Sequence, residues 1–171
     1  TSSGYVAAYN YDGGKISSWN KGDRMIYLHY VDKKTKADTR YQLSEIPGTT
    51  PMIASTGLEG GYVLWNGGEG LGRLNDTLYY VSYDAEGVPG PVRTAKAPLS
   101  DCQPIPFDGG VVWYVTNYNP HDPNSDPNPI FYVLDENGVT AHSPGTKPEQ
   151  PEQTFSDVPP DAWYADAVQT V

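Results

Sequence analysis

Hydrophobic and polar positions along the chain fall into a two-strand phrase that occurs three times. Its clearest copy reads GGYVLWN, then a polar Gly-rich stretch, then TLYYVSYD, over residues 60–84. Upstream the counterparts are GYVAAYN (4–10) and MIYLHYVD (25–32), and downstream GGVVWYVTN (109–117) and PIFYVLD (129–135). Each second strand closes on an aspartate, and Asp32, Asp84 and Asp135 are spaced by 52 and 51 residues. A period of that size marks a repeat architecture. Within the phrase, Tyr62 and Leu64 share one side of the pleat and Val63 and Trp65 the other, while Leu78 and Tyr80 alternate with Tyr79, Val81 and Tyr83. Neither side is polar, so the pattern predicts sheets covered on both faces.

The flanking sequence completes each unit. Opening strands are expected at 51–54 and 104–107, and fourth strands at 39–43, 91–95 and 139–142. Turns at 33–37, 85–90 and 136–138 separate them. The expected pairs are 6–9 with 26–30, 62–65 with 78–83, and 111–115 with 130–133. This predicts an all-β domain over residues 1–142. About three antiparallel, propeller-like blades make it up, the first and last incomplete. Closed propellers need about four or more blades, so a partial propeller is expected. It is either a piece of a larger one or a body that closes as a homo-oligomer through its open blade edges. A β-sandwich of the same strands is the alternative. In this reading Trp65 and Trp113 hold the same repeat position, which favours a core role for both.

Composition supports β structure, with 16 Pro, 18 Gly and 14 Tyr. Lys+Arg 11 against Asp+Glu 21 gives a formal charge of −10, which argues against nucleic acid as a partner. The charge is uneven: residues 1–50 carry seven basic and five acidic groups, residues 51–171 four and sixteen. Cys102 stands alone, so an intrachain disulfide is excluded, and it reads as a small strand-edge residue. No apolar run is long enough to span a bilayer. Thr1 reads as an internal cut, which leaves the targeting of a parent protein open.

Residues 143–154, SPGTKPEQPEQT, have the composition of an extended linker. The remainder, TFSDVPPDAWYADAVQTV, predicts a short helix with Asp161 as its N-cap and Trp163, Ala167 and Val171 on one face with Tyr164 and Val168. The string FSDVPPDAWYADAV resembles the opening of an S-layer homology module, with Phe155, Asp157, Val158, Trp163, Tyr164 and Ala167 on the matching positions. The resemblance covers residues 155–171, a truncated module. It implies a secreted, wall-anchored protein of the bacterial cell surface, held to cell-wall polysaccharide by the complete module. It implies nothing about the ligand of the β body.

Other candidates are weaker. Asp122, Asn124, Asp126 and Asn128 place alternate oxygen side chains in one loop, the way a Ca²⁺ site begins. The Gly and Glu of a complete calcium loop are replaced by Pro127 and Val133, so a solvated loop is the competing reading. Asn10 to Gly14 followed by Trp19 resembles the Asp-box hairpin of sialidase-like propellers, but without its opening Ser and with the Trp two residues late. A tight turn explains it better. His29, His121 and His142 are scattered, and no catalytic constellation or cofactor motif emerges. Trp19, Trp65, Trp113 and the tyrosines could stack on sugar rings, though in strands such residues more often form core. The expected function is non-catalytic binding, carbohydrate included, or display. The alternatives are a fragment of a surface glycan-cleaving propeller enzyme with paired carboxylates, or a structural spacer.

Overall fold

The computed structural model describes residues 1–12, 24–57, 59–67, 77–99, 102–116, 121–122 and 128–143. Within them lie strands β1 (Gly4–Tyr11), β2 (Met25–Asp32), β3 (Asp38–Gln42), β4 (Gly48–Ser55), β5 (Gly60–Gly67) and β6 (Thr77–Asp84). The others are β7 (Arg93–Lys96), β8 (Ile105–Phe107), β9 (Gly110–Val115), β10 (Ile130–Asp135) and β11 (Gly138–His142). They form three antiparallel sheets, β1-β2-β3, β4-β5-β6-β7 and β8-β9-β10-β11, each a simple meander in chain order. The described residues contain no helix, and hence none able to cross a membrane. The C-terminal helix, the linker beyond Ser143 and the module-like segment expected from the sequence lie outside the described residues.

The two-strand phrase is the central hairpin of each sheet. Tyr62 pairs with Ser82 and Trp65 with Tyr79; Val6 pairs with Tyr30 and Tyr9 with Tyr27; Val111 pairs with Leu134 and Val115 with Ile130. These are the expected pairings. The recurring aspartates have a physical reason. Asp32 Oδ1 accepts the backbone N–H groups of Lys34 (2.8 Å) and Thr35 (2.6 Å). Asp84 Oδ1 accepts that of Val88 (2.8 Å) and Asp135 Oδ1 that of Asn137 (2.7 Å). Each closing carboxylate thus satisfies donors of the turn that reverses the chain into the last strand.

Two details differ from the sequence reading. Pro51 does not open its strand. β4 begins at Gly48, and Pro51 falls where the register shifts between Thr49 and Met52, beside Thr50 at a φ of 51°. Proline removes a ladder donor, so it is tolerated at a bulge on an edge strand; Pro106 in β8 is likewise on an edge. The last sheet is not incomplete, since β8 to β11 make four strands. Only the first sheet is short: among the described residues it has no counterpart of β4 or β8.

The pleat assigns each side chain to a neighbour. Val63, Trp65, Val81 and Tyr83 pack with Ile26 and Leu28 of the first sheet and with Leu43, which follows β3. Leu64, Leu78 and Tyr80, on the opposite side, pack with Val111, Trp113, Tyr132 and Leu134 of the third. The middle sheet is therefore covered on both faces, as its doubly apolar pattern requires. Val63, Leu64 and Trp65, consecutive in β5, are each 0% exposed. Polar ties reinforce both joints. Ser3 Oγ lies 2.7 Å from the Tyr30 hydroxyl and donates to the Ala85 carbonyl across the first joint. The Trp113 indole donates to Pro98 O at 2.9 Å across the second, where Gln103 Nε2 also bonds Ile53 O. Gly87, at a φ of +71°, lies where a Cβ would meet the Tyr30 ring at 2.5 Å, so both backbone and space call for glycine there.

Candidate functional site

Covering the middle sheet leaves two faces of the stack without a neighbour among the described residues. In β1 and β2, Val6, Ala8, Ile26 and Leu28 face the middle sheet. By alternation, Tyr5, Ala7, Tyr9, Tyr11, Tyr27 and His29 point the other way, joined on β3 by Asp38, Arg40 and Gln42 through the register His29↔Arg40 and Tyr27↔Gln42. On this face Tyr9 stacks on Tyr27 at 5.9 Å between centroids and 19° between planes, and Tyr11 meets Tyr27 edge-on at 6.2 Å. The Arg40 guanidinium stands 6.0 Å from the centroids of both Tyr11 and Tyr27, and Lys33 Nζ stands 5.3 Å from that of Tyr5. His29 Nε2 is 2.9 Å from Asp38 Oδ2, and the Tyr27 hydroxyl donates to Gln42 Oε1 at 3.2 Å. The face is aromatic in its middle and hydrogen-bonding along the outer strand; His29 and Asp38 pair within the sheet, Lys33 Nζ donates to the Thr1 carbonyl ahead of β1, and Arg40 stands over the tyrosine rings.

The opposite end is the outer face of the third sheet. Val111, Trp113, Tyr132 and Leu134 point inward, so Val112, Tyr114, Phe131 and Val133 point outward with Ile105 and Phe107 of β8. Ile105 is 64% exposed, and Phe107, Tyr114 and Phe131 are each exposed by two-fifths or slightly more. Tyr114 and Phe131 lie 6.2 Å apart, tilted by 49°. The Cys102 thiol, 3.8 Å from the Tyr114 hydroxyl, raises that phenol above its ordinary 10.0. Cys102 itself is exposed and lies ahead of β8, not within a strand.

The residues singled out in sequence are distributed differently. Of the candidate calcium loop, Asp122 and Asn128 are described, both exposed, and Asn124 and Asp126 lie outside the described residues. Among the described residues no group of three or more His, Cys, Asp or Glu could hold a metal ion. Phe155, Asp157, Val158, Trp163 and Tyr164 lie outside the described residues, as do Gly13, Gly14 and Trp19 of the Asp-box-like stretch. His29 and His142 sit on different sheets, the latter 3.1 Å from Thr140 Oγ1. Trp65 and Trp113 are core, as expected, at 0% and 2% exposure, but they do not share a repeat position. Trp65 pairs with Tyr79 and Trp113 with Tyr132, which counted from the closing aspartates sets the indoles two residues apart in register on the same side of the pleat. Tyr9, opposite Tyr27, is the true counterpart of Trp65.

Motifs and composition do not mark out the tyrosine cluster with Arg40 or the apolar face around Ile105 and Phe131. Their signal is the alternation itself: Tyr5, Tyr9 and Tyr11 share one pleat side. No family model, no curated protein and no solved structure matches the chain.

Proposed function

We propose that the chain is a non-catalytic binding or display region of a bacterial cell-surface protein, built from propeller-like blades and acting through its end faces. The observation that carries the reading is the contrast between the middle sheet, buried on both sides, and the two end sheets, which among the described residues leave Tyr5 and Tyr11 exposed beside the half-buried Tyr9 and Tyr27 at one end, and Ile105, Tyr114 and Phe131 exposed at the other. Contiguous exposed aromatic and aliphatic surface is what interaction sites are made of. Propeller-like blades are supported by the meander order of every sheet and by the way neighbouring sheets approach through early strands, β1 and β2 against β4, and β4 and β5 against β8 and β9.

The address is read from the resemblance at residues 155–171 to an S-layer homology opening, which supports a location outside the cell, on wall polysaccharide, for the complete protein. The wall contact belongs to a complete module and the β body is what is displayed. Sedimentation with purified bacterial cell walls tests this division. A longer version carrying the whole module is expected to co-sediment, and the present chain to stay in solution. Equal co-sedimentation of the present chain would make the β body itself the wall binder.

A second reading is favoured by one feature. Stacked tyrosines bordered by Arg40, Gln42 and the His29–Asp38 pair offer both a platform for a sugar ring and hydrogen-bonding groups at its rim. In that reading the outer face of the first sheet binds carbohydrate.

A further inference from the structure

The two open faces stand at the ends of a stack whose sheets meet through the same kind of joint twice. In both joints a sheet offers aliphatic side chains to a cross-strand aromatic pair on the sheet that follows it. Ile26 and Leu28 cover the pair Trp65–Tyr79, stacked at 5.8 Å and 19°. Leu64 and Leu78 cover Trp113–Tyr132, stacked at 5.5 Å and 16°. The first sheet carries a third such pair, Tyr9–Tyr27, at 5.9 Å and 19° and at the register position of Trp65–Tyr79, with nothing described upon it. The third sheet presents an apolar outward face, with Ile105 exposed beside Phe107, Tyr114 and Phe131, that also has no neighbour among the described residues.

Resting on the binding-and-display reading, we infer that the occupant of both faces is a second copy of this chain, packed head to tail, the outer face of the third sheet of one copy seated on the tyrosine face of the first sheet of the other. Charge selects this pairing over like-on-like contact. Residues 1–50 carry seven basic and five acidic groups, whereas residues 101–143 carry six carboxylates and no lysine or arginine. Lys33 and Arg40 lie beside the open tyrosines. Two third sheets face to face would bring together two stretches without lysine or arginine, whereas a third sheet on a first sheet sets that carboxylate-bearing stretch beside Lys33 and Arg40. The contact is heterologous, and such contacts either close into a ring or run on as a filament. Two copies supply twice three sheets, which is within the roughly four to eight blades of closed propellers.

The test is complementation read by sedimentation equilibrium on the 171-residue chain. The chain is expected to sediment at twice its 18.7 kDa mass. Ile105→Asp with Phe131→Asp removes one half of the joint, and Tyr9→Asp the other; each variant alone is expected to dissociate at least about tenfold more readily, since a carboxylate is placed in a dry contact. Mixed one to one, the two variants restore one intact joint and return to the two-chain mass. Far-UV circular dichroism and thermal melts confirm folding, and Tyr11→Asp, at the exposed end of β1, replaces Tyr9→Asp if that variant does not fold. A wild-type chain at 18.7 kDa overturns the proposal, as does a dimer indifferent to the β1 substitution, which would be a contact between two third sheets. A monomer whose oligosaccharide binding is lost with Tyr9→Asp also overturns it and assigns the tyrosine face to sugar. The oligomeric outcomes leave the cell-wall sedimentation result unmoved, and co-sedimentation that is lost with Tyr9→Asp marks the sugar outcome, so failure of the partner and failure of the display reading are told apart.

Discussion

At the scale of single residues, the aspartate that ends each repeat acts as a turn acceptor, and Asp32 is the most heavily engaged. The backbone N–H and hydroxyl of Thr35, and then the Lys34 N–H, hold its carboxyl below the ordinary 3.8, because every one of these donors favours the charged form. A folded-state value below the unfolded one means that the ionised side chain stabilises the fold above the unfolded value and loses that contribution as pH falls through the folded value. The Asp32 carboxyl is therefore expected to titrate with a midpoint below 3.8 by NMR. The stability gap between wild type and Asp32→Ala should close as the pH is taken below about 4. A midpoint at or above the ordinary value would remove this role. The two buried tryptophans offer a second contrast. The Trp113 indole donates to Pro98 O, whereas that of Trp65 has no partner among the described residues. Replacement by Phe keeps an aromatic ring at both sites but breaks a hydrogen bond only at Trp113. Urea denaturation should find Trp113→Phe costlier than Trp65→Phe by about 1 kcal/mol. The reverse order would count against the hydrogen-bond assignment.

At the scale of elements, the sheets were legible because the phrase is strongly patterned and its period is nearly constant. A hairpin whose two pleat sides are both apolar has few places to go, and the middle sheet of a stack is one of them. What was not legible depended on long-range packing. The register of β4 starts before Pro51, because the bulge that accommodates Thr50 and Pro51 lets Gly48 pair with Gly67. Trp65 and Trp113 looked equivalent because both follow a Gly-Gly pair, yet pairing sets them two residues apart. The end faces read as core by residue type alone, and only the positions of the neighbours reveal that Tyr5, Tyr11 and Phe131 stay exposed among the described residues. The same layout predicts an order of local stability. β5 and β6 are flanked by strands on both edges and by sheets on both faces, while β3, β8 and β11 are edge strands of three to five residues. Amide hydrogen exchange is expected to be slowest in β5 and β6 and fastest in those three. Longest protection in β3 or β11 would contradict the sandwiched position of the middle sheet.

At the scale of the whole molecule, the stack is polar in charge as well as in face chemistry, and this makes the sign of its salt response informative. Between about 0.1 and 1 M ionic strength the screening length falls from about 10 Å to about 3 Å, so charges across a contact are progressively silenced while apolar burial is not. A head-to-tail contact joins the end bearing Lys33 and Arg40 to an end with no lysine or arginine over residues 101–143, so sodium chloride should weaken association across that range. The weakening should be partial, because the exposed Ile105 and Phe131 supply an attraction that salt does not screen. A contact between two third sheets would respond with the opposite sign, since salt would relieve repulsion between their carboxylates. Sedimentation equilibrium across a chloride series reads that sign directly. Association that strengthens with chloride would mean that like ends meet, and would return the tyrosine face of the first sheet to solvent or to a sugar ligand.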